Sequence, residues 1–132
     1  MSLAGDMDLV SGGYEGGLIL IENTGTSTTP VFVKGPDALT IFDYIWVGSY
    51  SAPAFADLDG DGDMDLIVGD TGGEFVYILN NGTSTAPVFV PIGWGSADNP
   101  LDGIDVDEDS APAFADIDND GKLGLCPSID KS

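Results

Sequence analysis

A chain of 132 residues is long enough for one domain with a single hydrophobic core. Its hydrophobic fraction of 42% argues against a disordered chain, although the net charge is −20. With three lysines, no arginine and no histidine, the chain lacks the basic surface that nucleic acids require, and an anionic membrane would repel it. It also has no apolar run long enough to span a bilayer. We therefore expect no nucleic-acid partner and no membrane insertion.

The composition favours turns over helices. There are 19 glycines and 8 prolines, and the acidic residues are 19 Asp against only 4 Glu. Aspartate is typical of turns, whereas glutamate is typical of helix surfaces. These counts indicate an all-β chain with loops built from carboxylates. The single cysteine, Cys126, excludes an intrachain disulfide and a cysteine-rich zinc site.

Two segments of the sequence recur. The segment NTGTSTTPVFV at 23–33 returns as NNGTSTAPVFV at 80–90, a shift of 57 residues. The segment SAPAFAD at 51–57 returns unchanged at 110–116, a shift of 59 residues. Self-similarity at such a period is the signature of a repeat architecture. We divide the repeat region 1–132 into a first repeat at 5–61, a second at 62–120 and the start of a third at 121–132.

The predicted strands are short and apolar on both faces, as expected for a sheet that lies between neighbouring sheets. In chain order they are Ile41–Val47, Ala52–Ala56, Leu66–Gly69, Phe75–Leu79, Pro87–Val90 and a more polar segment at Ile104–Val106. No stretch combines a helical period with helix caps. Four-stranded units at a period near 50 residues are typical of long propeller repeats. The prediction is an all-β fold of four-stranded antiparallel β-propeller blades, about two repeats per chain, which amounts to a partial propeller.

One loop, DLDGDGDMD at 57–65, concentrates the carboxylates. Its side-chain oxygens at positions 1, 3, 5 and 9 and a carbonyl at position 7 suit Ca²⁺, which takes about 6–8 oxygen ligands. Gly62 at position 6 permits the sharp turn. Without a cation, neighbouring carboxylates would repel one another by about 1 kcal/mol per close pair even in water. The predicted ligands are the side chains of Asp57, Asp59, Asp61 and Asp65 and the carbonyl of Asp63.

A less complete version of this loop follows at 116–124. Gly124 stands where the first loop has its position 9 aspartate, so we rank this second site below the first. The predicted ligands are the side chains of Asp116, Asp118 and Asp120 and the carbonyl of Lys122. Near the start of the chain, Asp6 and Asp8 match positions 7 and 9 of a partial loop.

An EF-hand does not fit these loops, because its position 12 glutamate would fall on Val68 or Pro127. The stretch SAPAFADLDGDGDMDLIVGD at 51–70, continuing to Val90, instead resembles the FG-GAP/VCBS repeat. That family includes integrin α-subunit propellers and many secreted bacterial proteins. The resemblance implies calcium held between the first two strands of a blade, an extracellular location, and propellers of about seven blades. The residues that match its calcium ligands are Asp57, Asp59, Asp61, Asp63 and Asp65.

The aromatic residues permit two interpretations. Four of them would suit stacking on a sugar, but packing in the core or between blades is favoured. They are Tyr44, Trp46, Tyr50 and Trp94. Catalysis is not expected, since histidine and arginine are absent and the clustered aspartates are explained as calcium ligands.

The leading functional hypothesis is a calcium-stabilised module with a structural or adhesive recognition role in a secreted or cell-surface protein. The alternatives are a lectin-like propeller and a non-catalytic fragment of a larger secreted enzyme. Whether the ligand is a protein or a glycan stays open. Exposed strand edges invite pairing with another chain. Because the partial loop and the loop at 116–124 are complementary in sequence, head-to-tail copies that complete a propeller are a further expectation.

Overall fold

The computed structural model describes residues 7–35, 41–42, 45–93, 95–121 and 124–125. Within them the chain forms nine β-strands and no helix, and all the strand pairs are antiparallel. The strands are β1 (Leu9–Gly12), β2 (Leu18–Asn23), β3 (Phe32–Lys34), β4 (Ala52–Ala56), β5 (Asp65–Gly69), β6 (Phe75–Asn80), β7 (Phe89–Ile92), β8 (Phe114–Ala115) and β9 (Gly124–Leu125). They form a three-stranded sheet β1-β2-β3, a four-stranded sheet β4-β5-β6-β7 and a pair β8-β9. The all-β prediction of propeller blades is confirmed.

The four-stranded sheet is one complete blade, buried on both faces. On one face, Leu66, Val68 and Ile78 join a core with residues of the first blade such as Leu18. On the other face, Ile67 and its neighbours on β6 pack with residues of the segment that follows β7. Side chains alternate between the faces of a strand, so a continuous apolar run is required where both faces are covered. This arrangement explains why the sequence of β5 shows no polar alternation.

The three-stranded sheet repeats the second, third and fourth strands of that blade. Leu9 pairs with Ile21 in β1–β2, as Leu66 pairs with Ile78 in β5–β6, and both residues are displaced by the repeat shift of 57. Among the described residues no strand pairs with the other edge of β1, whereas β5 pairs there with β4. Leu9 is accordingly 50% exposed and Leu66 fully buried.

Consecutive blades are joined by a serine at the start of SAPAFAD. Ser110 Oγ accepts a hydrogen bond from the Asp70 backbone N–H at 2.8 Å and donates to the Glu74 carbonyl at 2.9 Å. Ser51 Oγ likewise accepts from the Gly13 N–H at 3.0 Å. A Cβ on Gly69 would overlap the Ser110 carbonyl, so glycine is required for this close approach.

Two strand predictions need correction. Within the predicted strand Ile41–Val47, the described residues form no strand: Ile41 and Phe42 lie in a turn, and 45–47 have no regular structure. Phe42, Ile45 and Val47 are instead buried in the core between the first two blades, so core packing explains this apolar run. In the more polar segment Ile104–Val106, Asp105 forms one isolated bridge, with Glu74.

The remaining predicted strands are confirmed with small shifts in their bounds. Ala52–Ala56 is β4 as predicted, and β5 and β6 each differ from the prediction by one residue. The predicted strand Pro87–Val90 lies two residues further along as β7. The observed strand β7 contains Pro91. This residue lacks a backbone N–H and is tolerated because β7 is an edge strand.

Candidate metal centre

The connection between β4 and β5 brings three carboxylates together. One oxygen from each of Asp57, Asp59 and Asp61 lies within 4.8 Å of the other two. Asp57 organises the turn, because its two oxygens accept hydrogen bonds from Gly60 N at 2.7 Å and Gly62 N at 3.0 Å. Both glycines have left-handed φ angles, 81° and 95°, which residues with a side chain rarely adopt. The alternation of aspartate and glycine is therefore what folds the loop around its own carboxylates.

The other two members of the trio are ordered in the same manner. Asp59 accepts the Asp61 N–H at 3.1 Å, and Asp61 accepts the Asp63 N–H at 2.8 Å. The backbone hydrogen bond from Asp61 lowers the pKa of Asp59, but desolvation and the negative charges of Asp65 and Asp61 outweigh it and raise the pKa above its usual value. The loop therefore concentrates negative charge that a cation would neutralise.

Asp65, at position 9 of the loop, is buried and lies outside this trio. Its Oδ2 accepts hydrogen bonds from Leu58 N at 3.1 Å and from the Tyr77 hydroxyl at 3.0 Å. Its Oδ1 accepts the Asn80 N–H at 2.8 Å. Burial, together with the hydrogen bond to Asp65 and its charge, raises the pKa of Tyr77, so the hydroxyl stays a donor. Asp65 thus connects the base of the loop to β6 by hydrogen bonds. That Asp65 and the carbonyl of Asp63 are metal ligands stays a prediction.

The first blade contains the same fastening. Asp8 Oδ1 accepts the Asn23 N–H at 2.7 Å, at the positions that correspond to Asp65 and Asn80. Each asparagine in turn closes the following hairpin by accepting two backbone N–H groups. The position 9 aspartate therefore has a structural role in both blades. Asp6, the other residue of the predicted partial loop, lies outside the described residues.

The loop after β8 reproduces the trio. Asp116, Asp118 and Asp120 each place one oxygen within 4.8 Å of the other two. Asp116 accepts hydrogen bonds from Asp120 N at 3.1 Å and Gly121 N at 2.9 Å. At the position of Gly60 this loop has Asn119, with φ 58°, and asparagine tolerates that conformation better than most residues. Gly124 lies in β9 and supplies no carboxylate, and Lys122 lies outside the described residues.

Both trios fit a hard divalent cation. Their donors are all carboxylate oxygens, which calcium prefers, and the soft ligands of zinc and copper do not take part. Calcium lies about 2.3–2.6 Å from each ligand, so oxygens bound to one ion are at most about 5 Å apart. The observed separations satisfy that limit without rearrangement of the loop.

The family model for the FG-GAP-like repeat matches residues 4–68 and 57–125, and the chain belongs to this family. The second match begins at Asp57, the first residue of the complete loop. Searches of the curated proteins and of the solved structures found no match. In the described ranges, no helix has the length and apolar character needed to cross a membrane.

Sequence reasoning missed Tyr77 and Asn80, the two residues of β6 that hold Asp65. Asn80 had a detectable signal, because Asn23 stands at the corresponding position of the first repeat. Tyr77 had none, since the corresponding residue is Leu20 and the tyrosine sits in an otherwise apolar strand. Its hydroxyl is recognisable as functional only once the buried carboxylate beside it is known.

The first prediction concerns the hydroxyl of Tyr77. Removing it in Tyr77→Phe leaves a buried carboxylate with one donor fewer, and hydrogen bonds to charged groups contribute about 1.5–3 kcal/mol. We expect the free energy of unfolding, measured by denaturant titration in the presence of a chelator, to fall by that amount. The matched control is Tyr50→Phe, which removes an exposed hydroxyl. This variant should change the free energy of unfolding by less than about 0.5 kcal/mol. Equal effects of the two variants would contradict the role assigned to Asp65.

Proposed function

We propose that this protein is a calcium-binding β-propeller repeat module with a structural or adhesive recognition role in a secreted or cell-surface protein. The observation that carries the proposal is the trio Asp57, Asp59 and Asp61, whose oxygens already lie within the span of one coordination sphere. Asp65 and the carbonyl of Asp63 are the further ligands we propose. Membership of the FG-GAP-like repeat family supports the same assignment.

The metal would act on structure rather than on chemistry. The trio lies in the turn that joins β4 to β5, so a cation bound there fixes the first two strands of the blade relative to each other. It also neutralises carboxylates that otherwise repel one another. We propose no catalytic role, since the aspartates of both trios are assigned to the metal loops.

The proposed extracellular location rests on the family and on the affinities typical of extracellular calcium modules. Extracellular calcium modules bind with Kd of about 10⁻⁴–10⁻³ M, so such sites fill only in calcium-rich surroundings. Repeats of this family are typical of extracellular proteins, and the net charge of −20 suits a chain that gains cations where calcium is abundant.

A second prediction follows for thermal stability. At a calcium concentration about 100 times Kd, one site adds roughly 2.7 kcal/mol to the free energy of unfolding. Chelation should therefore lower the Tm, and calcium should restore it. Magnesium should restore it poorly, because that ion requires near-octahedral geometry and keeps its waters. A Tm that responds to neither chelator nor calcium would refute the calcium assignment.

The third prediction ranks the two loops. Asp59→Ala removes a central side chain from the complete loop, whereas Asp118→Ala removes its counterpart from the loop that ends in Gly124. We expect calorimetric titration to show the larger loss of calcium affinity in Asp59→Ala. The reverse order would mean that the residue at position 9 does not decide affinity.

We also propose that copies of this chain associate to complete the propeller. Leu9 on β1 is 50% exposed, although its counterpart Leu66, which pairs with Phe55 of β4, is fully buried. The segment 110–116 has the same sequence as 51–57, the segment that contains β4. In the described part of the chain β8 pairs through Phe114 and Ala115, whereas β4 pairs through five residues. The 110–116 segment of a second copy would find in β1 an edge like the one that β5 offers to β4, and it would exchange its two-residue pairing with β9 for this longer one.

The fourth prediction tests this association by light scattering at micromolar concentration. The parent chain should have the mass of two or more copies, and Leu9→Lys should shift it to the monomer by placing a charge on the paired edge. The matched control, Val33→Lys, changes a residue of similar exposure (48%) on β3 and should leave the mass unchanged. A parent chain that is monomeric across the concentration range would refute the proposal.

A further inference from the structure

Three exposed aromatic residues lie where the β1–β2 turn is hydrogen-bonded to the segment before β4. The backbone N–H of Tyr50 donates to the Tyr14 carbonyl at 3.2 Å, and Val47 N donates to Gly16 O at 3.3 Å. The Tyr14 and Tyr50 rings are edge to face, with centroids 4.8 Å apart and an interplanar angle of 87°. Trp46, next to Val47, is 74% exposed, and the tyrosines are 67% and 61% exposed. We call Tyr14, Trp46 and Tyr50 the aromatic patch. Trp46 and Tyr50 are not core residues, although Tyr50 contacts Tyr14 at the junction between blades, and Tyr44 and Trp94 lie outside the described residues.

The next junction along the chain shows that the fold does not require these aromatics. There the Asp109 N–H donates to the Thr71 carbonyl at 3.3 Å, which reproduces the bond between Tyr50 and Tyr14. Asp109 also has a left-handed φ of 47°, close to the 55° of Tyr50. The position of Trp46 is taken by Asp105. The same backbone is thus built with threonine and two aspartates at the positions of the patch.

The patch is also unfavourable for the isolated chain. A left-handed φ is tolerated by aspartate better than by most residues but is an outlier for a bulky residue such as Tyr50. Three large aromatic side chains on the surface of one junction form the kind of exposed apolar area that marks interaction sites. Because the ring contact leaves Tyr14 and Tyr50 largely exposed and the backbone needs no aromatic residue here, we attribute the aromatics to binding.

The negative charges around the patch favour a positively charged partner. Glu15 is exposed beside Tyr14, and the Asp70 carboxylate packs against Gly48, between Trp46 and Tyr50 in the chain. The whole chain carries a net charge of −20. Faces of Trp and Tyr attract Lys and Arg cations, and nearby carboxylates add to that attraction. We propose that the aromatic patch is a docking site for the cationic side chains of a basic peptide segment in a partner protein.

This inference gives a partner class to the recognition role proposed above and rests on that role. The patch and the metal loop lie at the two ends of β4, a strand of five residues that spans about 16 Å. Changes in the patch therefore leave the calcium ligands in place. Failure of the docking site and failure of the calcium site can be observed separately.

The experiment titrates the full chain with a hexa-arginine amide peptide at 0.15 M salt by calorimetry. The test variant is the triple substitution Tyr14→Thr, Trp46→Asp and Tyr50→Asp, which installs the residues that the second junction already accommodates. We expect affinity to fall about tenfold or more, the combined effect of several cation–π contacts. Charge alone predicts the opposite sign, because the variant carries two additional negative charges.

Three comparisons complete the design. Val88→Asp, which adds a charge at an exposed apolar residue away from the patch, should not weaken binding. If the triple variant melts at a lower temperature than the parent chain, the single variant Trp46→Asp replaces it in the peptide titration. Calcium titrations should give the same Kd in the parent and in the patch variants. Equal or tighter peptide binding by the patch variants, no peptide binding by the parent, or patch-dependent binding of neutral oligosaccharides in place of the peptide would each overturn the proposal.

Discussion

The buried carboxylate of Asp65 is the interaction on which both the blade and the metal loop depend. A charge removed from water is costly unless donors replace its hydration, and here Leu58, Tyr77 and Asn80 provide three hydrogen bonds. These donors come from the loop, from the middle of β6 and from its end, so one side chain fixes three parts of the blade. Its charge also raises the pKa of Asp59, which connects the interior of the blade to the electrostatics of the loop. The apolar faces of β5 can then pack against both neighbouring layers while the Asp65 carboxylate keeps its hydrogen bonds.

The two junctions between blades show which contacts the repeat needs and which it leaves free. Ser51 and Ser110 make equivalent hydrogen bonds to the preceding turn, and a glycine faces each of them. These contacts involve backbone atoms and one hydroxyl, so they tolerate any residue whose side chain points away. Tyr50 and Asp109 are such a pair: their backbones agree while their side chains differ in size and charge. Differences at such positions identify function more clearly than the repeated residues do, because the repeated residues are already explained by the fold.

Much of this architecture was predictable because its signals are local. The bounds of β4 follow from an apolar run between turn residues, and the trio at 57–61 follows from alternate aspartates around left-handed glycines. The apolar run at 41–47 led to a wrong strand prediction. Phe42 and Val47 are buried in the core, and burial alone does not require that a segment pairs with a neighbouring strand. Sequence also gave no means of deciding whether Trp46 is buried, because exposure depends on which segment lies over it. The role of Tyr77 required knowledge of its partner, Asp65, on the neighbouring strand.

The geometry of β4 determines how a cation in the loop would affect recognition. One end of this strand carries Asp57 and the metal loop, and the other end begins after Ser51, which is hydrogen-bonded to the first blade. A cation at Asp57 fixes the turn into β5, while the serine fixes the entry from the first blade, so the strand is held at both ends. The backbone bond between Tyr50 and Tyr14 lies just before that entry, and its geometry depends on the position of β4. Calcium would therefore influence the aromatic patch only by stabilising the folded strand, so in the folded chain the two sites bind independently of each other.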